Sequence, residues 1–222
     1  MILLEDPIYT LSAGVLIVLA LFGLYKIASA LKHKSFLERR DLMIFKINPK
    51  EVGMSLDIFV HAIKPPFAFE VAVQHLGSER SYYLIAPRGK GKRLVEIKGL
   101  EEVQDYHVFH SGGEHVGAYF KDSEDWPRVA FDKIDFSKVN EIGEGAVVQF
   151  IFGRRHRGKT AANLRVAVSA PSSFQAKEIL GVLKGSFSEY SSIDSKSEEF
   201  MHLINSREFD QGEKMLWQPV TG

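Results

Sequence analysis

The chain contains no cysteine, so disulfide bridges and cysteine nucleophiles are both excluded. The absence fits a reducing compartment without proving one. A net charge is missing as well: Lys plus Arg equals Asp plus Glu at 28 each, so no global field draws the protein to nucleic acid. Any basic function must be local. No serine sits in a nucleophile-elbow pattern with a matching acid and base. Glu101 and Glu102, like Glu198 and Glu199, are adjacent rather than convergent. The expectation is a protein that is not an enzyme, with no cofactor, no metal and no small-molecule substrate.

Charge is also absent from Pro7 to Tyr25, "PIYTLSAGVLIVLALFGLY". At about 1.5 Å per residue this run crosses the roughly 30 Å hydrocarbon layer of a bilayer as one helix. Its lipid-facing candidates are Ile8, Leu11, Val15, Leu16, Ile17, Leu19, Leu21, Phe22 and Leu24. A cleaved secretory signal, suggested by Ala28, Ser29 and Ala30, fits less well. Such a signal starts with positive charge and has a shorter apolar stretch, whereas Glu5 and Asp6 precede this one and Lys26 follows it. Lys26, Lys32, Lys34, Arg39 and Arg40 crowd the C-terminal flank, so the positive-inside rule places that side in the cytoplasm. The chain is therefore expected to be a single-pass protein of the cytoplasmic membrane, N-terminus out and globular part in.

The remaining length suffices for a real hydrophobic core. Residues 42 to 47, "LMIFKI", read as a strand. Ser55 then introduces Leu56, Phe59, Val60 and Ile63 at helical spacing, stopped by Pro65 and Pro66. "FAFEVAV" and "SYYLIAP" make a β-hairpin, followed by a short helix from about Gly89 to Lys98. "EEVQDYHVF" and "HVGAYFK" flank Gly112 and Gly113 as a second strand pair. "GAVVQFIF" and "NLRVAVSA" form another hairpin, and "PSSFQAKEILGVLKG" a helix with Phe174, Ile179 and Leu183 among its inward candidates. Both hairpins run into Ala-Pro, at Ala86–Pro87 and Ala170–Pro171, which suggests two related ββα units. Residues 186 to 197 read as a loop, and "EEFMHLINSREF" as a final helix.

This pattern predicts an α+β protein: a transmembrane anchor over 1–30, a basic stem with a short strand and helix over 31–66, and an α+β domain over 67–190. A C-terminal loop and helix occupy 191–222. The domain is expected to build ferredoxin-like ββα units (67–100 and 145–187) around one core, with an antiparallel sheet covered on one face by helices. Phe67, Phe69, Tyr82, Tyr83 and Tyr119 are read as packing residues.

Gly153 to Thr160, "GRRHRGKT", satisfies the spacing of a phosphate-binding P-loop. The bulky middle and the strand-like "AANLRVAVSA" after it oppose that reading, because a phosphate cradle runs from strand to helix. The same residues have another meaning: Arg154, Arg155, Arg157 and Lys159 concentrate positive charge at a hairpin tip. Arg88, Lys90, Lys92 and Arg93 form a second cluster. Both are candidate contacts for phosphate groups, in lipid headgroups or, more weakly, in nucleic acid. No aromatic side chains interleave with the arginines to stack bases. His107, His110 and His115 with Glu114 are dense enough to raise a metal site, but strand positions three apart face opposite ways, so His107 and His110 could share an ion only if the strand bends before Phe109.

The order "PFAFEVAVQHLGSERSYYLIAPRG", "EEVQDYHVFHSGGEHVGAYFK", "NEIGEGAVVQFIF" and "REFDQGEKMLW" resembles the membrane-anchored N-terminal region of type IV secretion, conjugation-type ATPases of small-genome bacteria. The resemblance covers most of residues 36 to 217. It implies an N-terminal helix, a basic stem and an α+β domain that anchors or positions a motor at the inner face of the membrane. The partner it implies is a secretion ATPase or further copies of the same chain. The family's motor domain has no counterpart here, so a fragment or a split gene is expected, and no ATPase activity.

Overall fold

In a computed structural model the chain divides into two compact units, Met1–Ser35 and Phe36–Gly222. The structure describes residues 22, 42–75, 79–106, 109, 112–121, 131–156 and 159–217; of 154–156, 159, 216 and 217 it describes the backbone alone. The proposed anchor, Ile8 to Leu24, lies outside the described residues except for Phe22, which is helical and exposed. Among the described residues no helix is long and apolar enough to cross a membrane.

The second unit is mixed α and β, built on one antiparallel sheet. The strands are β1 (Leu42–Ile47), β2 (Phe67–Val73), β3 (Ser81–Pro87), β4 (Leu100–Val103), β5 (Glu114–Lys121), β6 (Gly145–His156), β7 (Lys159–Ala170), β8 (Ser191–Ser195) and β9 (Met215–Trp217). Their order is β4-β1-β3-β2-β6-β7-β5-β8, with β9 beside β7. The first four strands and the next four thus follow one order, mirrored about the β2–β6 junction. Seven residues of β2, Phe67 to Val73, pair there with Phe152 to Ala146 of β6.

Helices α1 (Pro49–Val52), α2 (Leu56–Ala62), α3 (Arg88–Leu94), α4 (Ser137–Ile142), α5 (Ser173–Gly185) and α6 (Glu198–Ser206) connect or follow the strands. Serines start three of them where a side-chain oxygen satisfies an orphan amide: Ser55 caps Ile58, Ser172 caps Gln175 and Ser197 caps Phe200.

The two-residue period of the strands divides the apolar residues into two cores. Phe45, Phe69, Leu84, Val148, Phe150 and Val166 face the larger one, where Phe59 and Val60 of α2, Leu94 of α3, Val139 of α4 and Ile179 and Leu183 of α5 cover them. Ile85, Val147, Ile151 and Ala167 face the other way, under Phe200 and Ile204 of α6. The single core with one covered face expected from sequence is therefore corrected to a sheet buried on both sides. Of the aromatic packing residues, Phe67 and Phe69 are fully buried. Tyr82 stacks on Phe69, and Tyr119 lies tilted against Phe200.

Three expectations change in the connections. β4 and β5 are not a pair: β4 edges the sheet beside β1, while β5 lies between β7 and β8. Residues 191–195, read as loop because of their serines, form β8. β1 and α2, placed in a stem by the sequence, belong to the sheet and its core. Polar edge strands such as β8 carry little apolar signal because one side of their ladder meets water.

Gly117 in β5 decides how closely α6 approaches. A Cβ there would stand 2.6 Å from the Val166 carbonyl oxygen and would also collide with the Phe200 ring. Gly117→Ala is expected to cost about 1–3 kcal/mol, because a backbone atom cannot give way as a flexible side chain does. Urea denaturation checks this, and an unchanged midpoint would show that α6 is not seated on Gly117.

Candidate functional site

Each central strand carries one large polar residue among apolar neighbours: Glu70 in "FAFEVAV", Gln149 in "AVVQFIF" and Arg165 in "NLRVAVS". Strand pairing places them in register. Lys46 is opposite Tyr83, Tyr83 opposite Glu70, Glu70 opposite Gln149, Gln149 opposite Arg165, and Arg165 opposite Tyr119. A single cross-strand row thus runs over the face that α6 covers, and its four members from Tyr83 to Arg165 are buried.

Burying a charge without partners costs far more than any one contact returns, so the surroundings must satisfy it. Glu70 accepts at Oε1 from Gln149 Nε2 at 2.7 Å and from Arg207 Nε at 3.0 Å. At Oε2 it accepts from the Tyr106 hydroxyl at 2.5 Å and from Arg207 Nη2 at 3.4 Å. Arg207 also donates to both Asp105 oxygens, at 3.0 and 2.7 Å. Arg165 donates through Nε to Glu213 at 2.5 Å, and through Nη1 to the carbonyls of Glu208 at 2.7 Å and Leu203 at 3.1 Å. Its Nη2 has no hydrogen-bond partner among the described residues.

Arg207 reaches this place by a backbone device. It is the C-cap of α6 with φ 57°, a left-handed residue, and its amide donates to the Ile204 carbonyl. The chain turns there and continues over the sheet as an arm. Asn163 holds that arm by two bonds with the Asp210 backbone, each 2.8 Å, and β9 then pairs with β7.

Charge states follow from the burial. Burial and the neighbouring Glu70 carboxylate push the Tyr106 hydroxyl well above its ordinary value, so it stays a donor. Burial is the largest influence on Arg207 and opposes its charge, but Glu70, Asp105 and Tyr106 together outweigh it and raise the guanidinium above its ordinary value. Burial pushes the Glu213 carboxyl up while Arg165 pulls it back. Both oxygens of Glu70 are already taken up by hydrogen bonds. A cavity of about 240 Å³ adjoins it, bordered by Glu70, Tyr106, Phe109, Gln149, Asn205 and Arg207. A wider groove of about 830 Å³ opens at one end of β1, β3 and β4, and its lining includes Lys46, Lys50 and Arg80 as well as Glu51, Glu79 and Glu101.

Sequence reasoning missed this row, although the signal was present. An isolated charged residue inside an otherwise apolar strand demands a buried partner. The partners came from segments far along the chain: Tyr106 after β4, Arg207 at the end of α6 and Glu213 in the arm.

The two basic clusters separate differently. Arg154, Arg155 and Lys159 sit in the long β6–β7 hairpin; their side chains, and Arg157 altogether, lie outside the described residues. The P-loop spacing falls on this hairpin, where β6 passes into β7 rather than into a helix. In the other cluster Arg88, Lys92 and Arg93 are exposed on α3, but Lys90 turns inward. Its Nζ lies 5.3 Å from the Phe67 ring centroid and 3.4 Å from the Pro66 carbonyl. Burial lowers its ammonium from 10.5 to about 8. His107 and His110 lie outside the described residues, and His115 packs 5.0 Å from Phe109.

No family model matches the chain, and no curated protein does. A solved structure described as "Crystal structure study of anthrone oxidase-like protein" aligns at 12% identity over 71% of this chain and 90% of that one, with a TM-score of 0.26. A likeness at that score carries no argument about this chain.

Two predictions follow from the charges. Arg207→Met strands Glu70 and is expected to cost about 3–5 kcal/mol, whereas Arg207→Met with Glu70→Gln recovers part of it because no unpaired carboxylate is left at position 70. Urea unfolding of the singles and the double checks the cycle. Lys90 titrates near 8 when folded and at an ordinary 10.5 when unfolded. Between those values the unfolded chain holds a proton that the native state has released, so stability rises with pH across that window. Lys90→Met is expected to be more stable than the parent at pH 7, with the gap closing towards pH 10.5, as read from urea midpoints.

Proposed function

We propose that the chain is a non-enzymatic, membrane-tethered assembly or positioning domain of a type IV secretion or conjugative DNA-transfer apparatus. It docks a motor ATPase or further copies of itself. The observation that carries the non-enzymatic part is the saturation of Glu70, Gln149 and Arg207: the buried polar groups are spent on one another and on the C-terminal arm. Such a row fixes one packing of arm on sheet, as a docking platform needs, and leaves no reactive group poised for substrate.

In this reading each half of the sheet is a ferredoxin-like unit, joined edge to edge through β2 and β6. The apolar run from Pro7 to Tyr25 is the anchor, with the N-terminus outside and the folded unit on the cytoplasmic side of the cell membrane. The family resemblance of residues 36 to 217 supplies the apparatus, and the mirrored strand order supports a rigid spacer between membrane and motor.

Co-purification from membranes tests it. The tagged full chain is expected to recover a secretion ATPase or an untagged second copy at near-stoichiometric yield. Recovery of neither, from membranes in which the chain is present, counts against the reading.

A further inference from the structure

Immediately after α3 the chain makes a compact turn from Val95 to Gly99 before entering β4. Val95 N–H donates to Gly91 O, Ile97 N–H to Leu94 O and Leu100 N–H to Ile97 O, while Gly99 takes φ 87°. Leu94 is buried in the larger core and pins the base of the turn. Gly91 lets α3 sit hard against β1, since a Cβ there would meet Met43 at 2.6 Å. The turn therefore sits on a rigid base.

What it presents is unusual for a solvated turn. Val95 is 52% exposed and Ile97 36%, so two β-branched aliphatic side chains stand in water. Around them Arg88, Lys92, Arg93 and Lys98 are exposed too, against Glu96 as the acid within the turn. The acids of β4, Glu101 and Glu102, begin beyond Gly99, and Glu101 stands opposite Lys46 in the sheet. Lys90 is excluded from this set by its position against Phe67.

We propose that α3 and the turn after it form a contact surface for an anionic bilayer, with Val95 and Ile97 entering the headgroup region between the cations. Aliphatic tips gain from leaving water, and neighbouring lysines and arginines are drawn to acidic headgroups; either contribution alone binds weakly, and together they reinforce one another. Nucleic acid suits the surface less well, because stacking on bases needs aromatic faces and the exposed apolar residues here are aliphatic. The inference rests on the membrane side of the function proposed above and adds a second, peripheral attachment to the tether.

The absence of cysteine supplies the test. A full chain carrying Val95→Cys takes one environment-sensitive fluorophore at the turn, and is mixed with phosphatidylcholine vesicles with or without about a third of phosphatidylglycerol. The expected result is a blue shift and protection from aqueous iodide with the anionic vesicles alone, reversed by high salt. Adding Lys92→Glu and Arg93→Glu is expected to weaken the effect about tenfold or more. No shift, an equal shift with neutral vesicles, or a shift produced by duplex DNA without lipid overturns the surface. Flotation of the same samples reads the tether separately. A chain that floats with both vesicle types but shows no shift keeps its anchor and loses this surface. One that floats with anionic vesicles alone, in a salt-sensitive way, keeps the surface and loses the anchor.

Discussion

The pairing of Glu70 with Arg207 sets the terms for the rest of this fold. A carboxylate on β2, next to the junction of the two sheet halves, has no access to water, so it demands donors from elsewhere in the chain. Gln149 supplies one across the junction, Tyr106 one from the connection after β4, and Arg207 two from the end of α6. One group thereby ties together three parts of the chain that are remote in sequence. Apolar packing alone would let α6 slide along the sheet; directional bonds to Glu70 and Arg165 fix its place.

The two faces of the sheet consequently differ in kind. The larger core is held by aromatic and aliphatic contacts, with Phe69 touching Phe131 and Phe150, and Phe120 and Phe150 each touching Phe187. The smaller core has an apolar rim around a polar middle, closed by an arm that is itself held at Asp210, Glu213 and β9. Loss of the arm would leave Arg165 and Glu70 buried without their charged partners, so the arm and the sheet stand or fall together.

Function follows from what is exposed rather than from what is buried. Glu70, Gln149 and Arg207 are taken up by hydrogen bonds to one another and to their neighbours, and the groove at the sheet end mixes both signs of charge. The surface of α3 and its turn instead carries cations beside aliphatic tips, on a base pinned by Leu94 and Gly91. Under the function proposed above, such a second contact orients the domain, because a single point of attachment leaves rotation free.

Alternation of apolar residues made the two hairpins legible, and proline and serine marked the starts and stops of α2 and α5; these are local properties written in two- and four-residue spacings. Strand partners were not legible: β4 and β5 look like neighbours in sequence, yet tertiary pairing sends them to different halves, since any antiparallel partner with a matching apolar face will serve. β8 and α4 were too short and too polar to register. Glu70, Gln149 and Arg165 could be seen as odd residues in apolar strands, but which groups answer them depended on where α6 and its arm came to rest. The sequence by itself determined periodicity, breaks and the uncharged run near the N-terminus. Only the tertiary structure decided register, the second core and the partners of buried charge, because those depend on contacts between segments whose separation along the chain carries no information about their meeting.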